Sequence, residues 1–323
     1  MTKAISLWAG IFASTALQVL APPAAHAQAD TWPTKPITWI VGFPPGGTVD
    51  VLTRVAAEQL AKKTGQSVVV DNRPGAAGVI ALKAAARSAP DGTTLITVPG
   101  PILFGRPEPE IGAELAPVMQ LADGPMILVG LASQALPSLK EVISEAKKNP
   151  SAWSYATSGS GTSQHLAGEL LNQMAGVKMA HIPYKGGSAA LNDVLGAQVP
   201  LAILGSSTVL PFILSGKLKA YAVTTASRIA SLPNVPTFAE SGFAGYEATQ
   251  WFAVAAPAKT PTATVQKLNA ALREIVALPA FKKAVDAAGM DPQPGSPADL
   301  QSFVSRDSKK WKDLVQKSGL NLE

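Results

Sequence analysis

Three glycine-rich turns hold the residue types best suited to chemistry: FPPGGTVD from Phe43 to Asp50, TSGSGTSQHL from Thr157 to Leu166, and YKGGSAA from Tyr184 to Ala190. Each follows a short apolar run and precedes an amphipathic one, so each closes an expected strand and opens an expected helix. A helix start presents backbone N–H groups at the positive end of the helix dipole, and glycine lets a ligand approach them closely. An anion such as a carboxylate suits that arrangement. Gly and Ser also serve tight turns for geometry alone, so one such turn carries little weight. Three turns on the strand-end edge where open α/β sheets take their ligands point to binding. The candidates are Phe43, Pro45, Gly46, Gly47 and Thr48 in the first turn, Ser158, Ser160, Gly161, Thr162 and Ser163 in the second, and Lys185, Gly186 and Gly187 in the third. Gly205 and Ser206, after another apolar run, complete the set. Each helix start contributes about 0.3–2 kcal/mol to a bound anion. Several together, with added hydrogen bonds, approach the ~8 kcal/mol of micromolar affinity.

Other chemistries find no support. There is no G-x-x-x-x-G-K-[ST], because Lys185 precedes its glycines, and FPPGGTVD is not a G-x-G-x-x-G fingerprint. Ser158 and Ser160 are not framed by G-x-S-x-G, and His165 lies too near its own helix start to be an obvious base for them. His181, in a strand, reads as a packed histidine. Without cysteine, and with three histidines in the whole chain, a thiolate or histidine zinc site is not expected. No cofactor and no catalytic residue is expected. Phe43 is placed to wall a cleft, Trp251 less so, and Trp39 and Trp311 read as core.

The chain has 323 residues and no cysteine, enough length to bury a sizeable core without disulfides. Lys3, an apolar stretch to Leu20 and Ala25-His26-Ala27 form an expected export signal over residues 1–27, cleaved before Gln28. No later stretch approaches the ~20 uninterrupted apolar residues of a membrane span. The periplasm is the expected location. A net charge of +5 from dispersed basic residues lacks the basic stripe that nucleic acid requires.

The turns need strands and helices to hold them. From Ile37 the chain alternates strand, Gly-rich turn and helix, which implies α/β layers with mainly parallel sheets. Leu52, Val55, Ala56 and Leu60 share one helix face. A stretch without a clear helix, ending in PMILVGLA, reads as the crossing into a second lobe, where the alternation resumes until Val223. A Pro- and Gly-rich return then leads to closing helices. Ser296-Pro297-Ala298-Asp299 caps the last of these, which carries Leu300, Phe303, Trp311 and Leu314; these helices are expected to pack back on the first lobe. The expected division is residues 28–122 with 248–323 as one lobe and 123–247 as the other, joined by two hinge crossings.

Taken in order, WPTKPITWIVGFPPGGTVDVLTRVAAEQLAKKTGQSVVVDNRPGAAGVIA, SYATSGSGTSQHLAGELL, HIPYKGGSAALNDVLGAQV and PNVPTFAESG resemble the Bug family, the extracytoplasmic receptors of tripartite tricarboxylate transporters. The resemblance implies a two-lobed, Venus-flytrap periplasmic binding protein, a monomer that delivers a small carboxylate to a two-component membrane permease. It also implies that the Phe43–Thr48 and Ser158–Ser163 turns hold the ligand carboxylate through backbone amides and bridging water. In one place the chain departs from the family: many members carry an acid after the third strand of the second lobe, where Gly205 stands here. A ligand without a cationic amine, an aliphatic or aromatic dicarboxylate, is therefore expected, with Gly205 leaving room for a ring. Two other readings use the same residues, a ligand sensor for a membrane signalling system and a secreted hydrolase acting through Ser160.

Overall fold

The computed structural model describes residues 32–100, 111 and 113–318; the expected export signal over residues 1–27 lies outside them. The chain opens with β1 (Ile37–Val41), α1 (Thr48–Thr64), β2 (Val68–Asn72), α2 (Val79–Ala86) and β3 (Thr94–Gly100). Two strands follow almost end to end, β4 (Leu115–Gly124) and β5 (Met126–Leu131). Then come α3 (Leu139–Lys148), β6 (Ser154–Thr157), α4 (Ser163–Ala175), β7 (Ala180–Pro183), α5 (Gly187–Leu195), β8 (Leu201–Gly205), α6 (Ser206–Leu214) and β9 (Leu218–Val223). A long connection leads to β10 (Gln250–Pro257), α7 (Thr262–Ala277), α8 (Pro279–Ala287), β11 (Asp291–Pro292) and α9 (Pro297–Ser318).

The strands form two sheets, one ordered β11-β4-β10-β3-β1-β2 and the other β7-β6-β8-β5-β9. Both are mixed rather than mainly parallel. Strands linked through helices pair in parallel, β1 with β2 and β3, and β6 with β7 and β8. The strands that carry the chain between sheets run against their neighbours: β10 is antiparallel to β3 and β4, and β5 to β8 and β9. The expectation of mainly parallel sheets overlooked these crossing strands, which have no helix to return them to the same edge.

Helix α1 follows from its pattern. Leu52, Ala56 and Leu60 are buried on one face against the first sheet, and Gly65, at φ 69°, ends the helix in the left-handed region. Beneath it, Trp39 donates its Nε1–H to Thr97 Oγ1 at 2.9 Å, and Thr97 shares a 2.7 Å hydrogen bond with Thr53 Oγ1. The polar atoms of this core are thus paired.

Passage between the sheets occurs at two adjoining points. The chain leaves at Gly124-Pro125-Met126. It returns beside that point: Thr224 N–H donates to Met126 O, Met126 N–H to Thr224 Oγ1, and Ala248 N–H to Thr224 O. Gln250 stands opposite Gly124, while Met126 stands opposite Gly205.

The closing helices do not all pack on the first sheet. Val265, Leu268 and Phe281 of α7 and α8 join its core. Helix α9 spans both: Leu300 packs with Trp251 on the first sheet, whereas Trp311 and Leu314 pack with Leu166 and Leu171 of the second. Asp307, midway along α9, accepts the Nε1–H of Trp251 at 2.7 Å and of Trp311 at 3.0 Å. The apolar spacing located the helix but could not reveal that its two halves face different cores.

Packing of α4 on its own sheet depends on a missing side chain, because a Cβ at Gly168 would land on the buried Tyr155 ring. Gly168→Ala should therefore destabilise the protein by about 1–3 kcal/mol in urea unfolding, despite alanine's better helix propensity.

Candidate functional site

The gap between the sheets is a cleft of about 310 Å³. Four helices begin at its wall: Gly47, Thr48 and Val49 from α1, Ser163 and Gln164 from α4, Gly187, Ser188 and Ala189 from α5, and Thr208 from α6. The first amides of a helix have no acceptor within it; here His165 N–H of α4 is capped by Thr162 Oγ1 and Ser206 N–H of α6 by Pro125 O, and the first turns of all four helices still border one space. Phe43, Pro44, Pro99 and Phe252 supply apolar walls, and Asn192 and Gln250 add carboxamides. Lys185 is the one ionisable side chain among the described lining residues.

A buried acid shapes the first turn. The Asp50 side chain is 3% exposed. Its Oδ2 accepts Gly46 N–H at 3.0 Å and Arg54 Nε–H at 3.0 Å, and its Oδ1 accepts Asn72 Nδ2–H at 2.9 Å. Asn72 also donates to Phe43 O at 2.9 Å, so one carboxylate ties both ends of the turn together. Burial pushes the Asp50 carboxyl up, but the Arg54 bond, the Gly46 amide and the Asn72 amide outweigh it and hold it below the usual carboxylate range.

Side chains from α4 and the end of β6 shape the second turn. Gln164 Oε1 accepts Ser158 N–H at 2.8 Å, Thr157 Oγ1 accepts Gly159 N–H at 3.2 Å, and His165 Nδ1 accepts Gly161 N–H at 3.1 Å. Behind them the His165 and His181 rings stack with centroids 3.7 Å apart, and His181 Nε2 meets Thr157 Oγ1 at 2.7 Å. Burial, then the neighbouring His165, holds His181 down at about 3, so it is neutral near pH 7.

Of the residues expected from sequence, Phe43, Gly47, Thr48, Ser158, Thr162, Ser163, Lys185, Gly186 and Gly187 line the cleft. Pro45 and Gly46 lie on the exposed outer side of their turn, and the Gly46 amide is already bound to Asp50. Gly161 is buried with its amide on His165. Ser160 borders a neighbouring cavity beside Gly159 and Tyr184 instead. Gly205 and Ser206 lie beneath the floor, where the Ser206 hydroxyl donates to Ala288 O. Gly205 leaves no room for a ring: a Cβ there would strike the Gln250 amide and stand 3.1 Å from Thr48 Oγ1. Trp251 does not wall the cleft; its ring meets Phe303 of α9 edge-on, with centroids 5.5 Å apart.

Sequence reasoning missed Gln164, Asn192, Thr208, Gln250 and Phe252. Gln250 had a legible signal as the lone polar residue heading the apolar run Trp251–Pro257, and Phe252, two residues on, shares its strand face. Across the gap the Thr48 and Ser207 hydroxyls are hydrogen bonded to each other, joining α1 to α6.

Two mixed α/β sheets with paired crossings and helix starts gathered on the gap between them define a two-lobed solute-binding architecture. The comparisons agree with that class. The chain belongs to the tripartite tricarboxylate transporter receptor family (TctC), whose model matches residues 52–320. It is 37% identical to protein BugT of Bordetella pertussis over 330 residues, covering 100% of this chain and 99% of that protein. Among solved structures it resembles the periplasmic binding protein BugD, at 34% identity and a TM-score of 0.83 over 90% of this chain and 99% of that one. It also resembles R. palustris Rpa4515 with adipate, at 35% identity and a TM-score of 0.85 over 89% and 98% of the two chains.

The depressed Asp50 carboxyl adds stability that is present above the ordinary carboxylate range and is lost as pH falls through its lowered value. Asp50→Asn should be about 1–3 kcal/mol less stable than the parent at pH 7, with the gap narrowing once pH falls below the ordinary carboxylate range, as read by urea unfolding across a pH series.

Proposed function

We propose that this chain is a periplasmic receptor that captures a small carboxylate in the cleft between its sheets and hands it to a two-component tripartite tricarboxylate-type permease. The observation that carries the reading is the convergence of four helix starts and Lys185 on one space whose described lining residues include no Asp or Glu. Such a wall favours a negative ligand and offers several N–H donors to its oxygens. The ligand recorded for Rpa4515, adipate, is a dicarboxylate. The apolar walls suit a ligand with a hydrocarbon body between polar groups, aliphatic or aromatic. The proposed lobes are those expected from sequence, residues 28–122 with 248–323 and residues 123–247, with the far half of α9 laid against the second. The contributing residues are those of the three turns that reach the cleft, together with Gln164, Asn192, Thr208, Gln250 and Phe252.

A binding role rather than hydrolysis is supported by the surroundings of Ser160. A serine nucleophile needs a base in hydrogen-bond reach and an acid to orient that base. His165 Nδ1 is occupied by the Gly161 amide and His181 Nε2 by Thr157 Oγ1. Export is supported by the segment over residues 1–27 and by the family, and delivery to the permease by the family alone. The Thr48–Ser207 contact across the gap fits a closed state that a ligand on both lobes favours by binding it better than an open one.

A thermal-shift screen of the purified protein against mono-, di- and tricarboxylates tests the reading. A bound acid at about 100-fold its Kd adds roughly 2.7 kcal/mol and raises the melting temperature by several degrees. No shift with any acid, at concentrations that saturate a micromolar site, would sink the proposal. Gly47→Val offers a sharper check: Gly47 has an ordinary φ of −79°, and a Cβ there meets nothing within 4 Å. The valine should fold normally, fill the approach to the α1 amides and lower affinity by more than about tenfold in calorimetry.

A further inference from the structure

Beside the cleft, the same gap holds a second chamber of about 500 Å³, lined by residues 42–44 and 74–78 from the first sheet's turns and by residues 158–160 and 183–185 from the second's. Phe43, Pro44, Ser158 and Lys185 line both spaces, so the two are neighbours through a shared wall. The cleft reaches Gln250, at the crossing between the sheets. The chamber instead takes its walls from the turns after β2 and β7, the strands at the sheet edges away from the crossing strands. It is the outer part of the gap. Turns of the two sheets come into contact around it: a Cβ at Gly186 would stand 3.3 Å from Pro44 Cδ, and one at Gly159 would stand 3.8 Å from Ala77 Cβ.

The chamber is shaped by backbone that few residues adopt. Gly75, Ala76, Ala77 and Gly78 all have positive φ, at 137°, 45°, 53° and 95°. Two alanines in succession are unusual there, because a Cβ opposes the left-handed region. The turn is seated by close packing, since a Cβ at Gly42 would lie 2.8 Å from Gly78 Cα. Strain of this kind persists where the surroundings over-determine it, and it clusters at ligand clamps. Phe43, Pro44, Pro74, Ala77, Pro183 and Tyr184 give the chamber mostly apolar walls, and no Asp or Glu stands among its described lining residues. The Tyr184 hydroxyl is committed to Asp193 at 2.5 Å.

We infer that the outer chamber is a second subsite: it takes the apolar body of a carboxylate longer than adipate, whose acid end sits on the helix starts of the inner cleft. A methylene withdrawn from water strengthens binding by up to about fourfold, so a body that reaches the chamber gains affinity with length until the space is filled. The inference rests on the carboxylate reading and adds to it a place and a size selectivity.

Calorimetric titration of the purified protein with succinate, adipate, suberate and sebacate tests it. In the parent, the better of suberate and sebacate should bind at least about tenfold tighter than adipate. Ser160 borders the chamber and not the cleft, so Ser160→Phe fills the outer space from a turn position and leaves the helix starts untouched. That variant should hold adipate within about threefold of the parent and bring the long-to-short ratio to within about threefold of one. Ser160→Leu, a smaller filling, should give an intermediate ratio and serves if the phenylalanine variant fails to fold, as judged by thermal melting. A parent ratio near one, or a ratio that the filled variants leave unchanged, overturns the subsite while carboxylate capture stands. Absence of binding to all four acids strikes at the carboxylate reading itself, and the subsite falls with it.

Discussion

A helix cannot satisfy its own first amides, and this fold gathers the consequence of that limit in one place. Helices α1, α4, α5 and α6 belong to two different sheets, yet all begin at the gap between them. Their amides repel cations and reward anions, and no Asp or Glu stands among the described lining residues of the gap. The buried acid nearest the first turn, Asp50, is turned back onto Gly46, Arg54 and Asn72. Its charge stiffens the turn from behind without occupying the donors in front.

The second turn achieves the same end without a carboxylate. Gln164, Thr157 and His165 accept the amides of Ser158, Gly159 and Gly161, so the loop is held by side chains of the elements that flank it. The stacked histidines give that arrangement a packed backing, and burial keeps His181 uncharged, which spares the cleft a second cation behind Lys185. Both lobes therefore present turns whose shapes are fixed before anything binds, a precondition for spending little ordering entropy on capture.

Local patterns were legible from sequence where the physics is local. Period 3.6 in Leu52, Ala56 and Leu60 located α1, Ser296 and Asp299 marked the start of α9, and the Gly-rich turns identified nine residues that do reach the cleft. Contacts distant in sequence were not legible. An apolar run such as PMILVGLA has no period that says which sheet it joins, so β4 and β5 read as a connection rather than as strands of different sheets. The spacing of Phe303 and Trp311 describes a face of a helix, not the two cores it touches. Gly205 invited the wrong inference because an absent side chain looks like empty space until the residue that fills it, Gln250, is brought up from 45 positions away.

That last packing has an evolutionary corollary. Positions 205 and 250 compete for one volume at the crossing of the two sheets, so they form a single heritable character divided between distant stretches of the chain. A lineage that places an acid at 205 has to shorten or swing aside the residue at 250 in the same step. One that keeps glutamine there is confined to glycine at 205. Covariation between the two columns across relatives is the trace such a constraint leaves in sequence space.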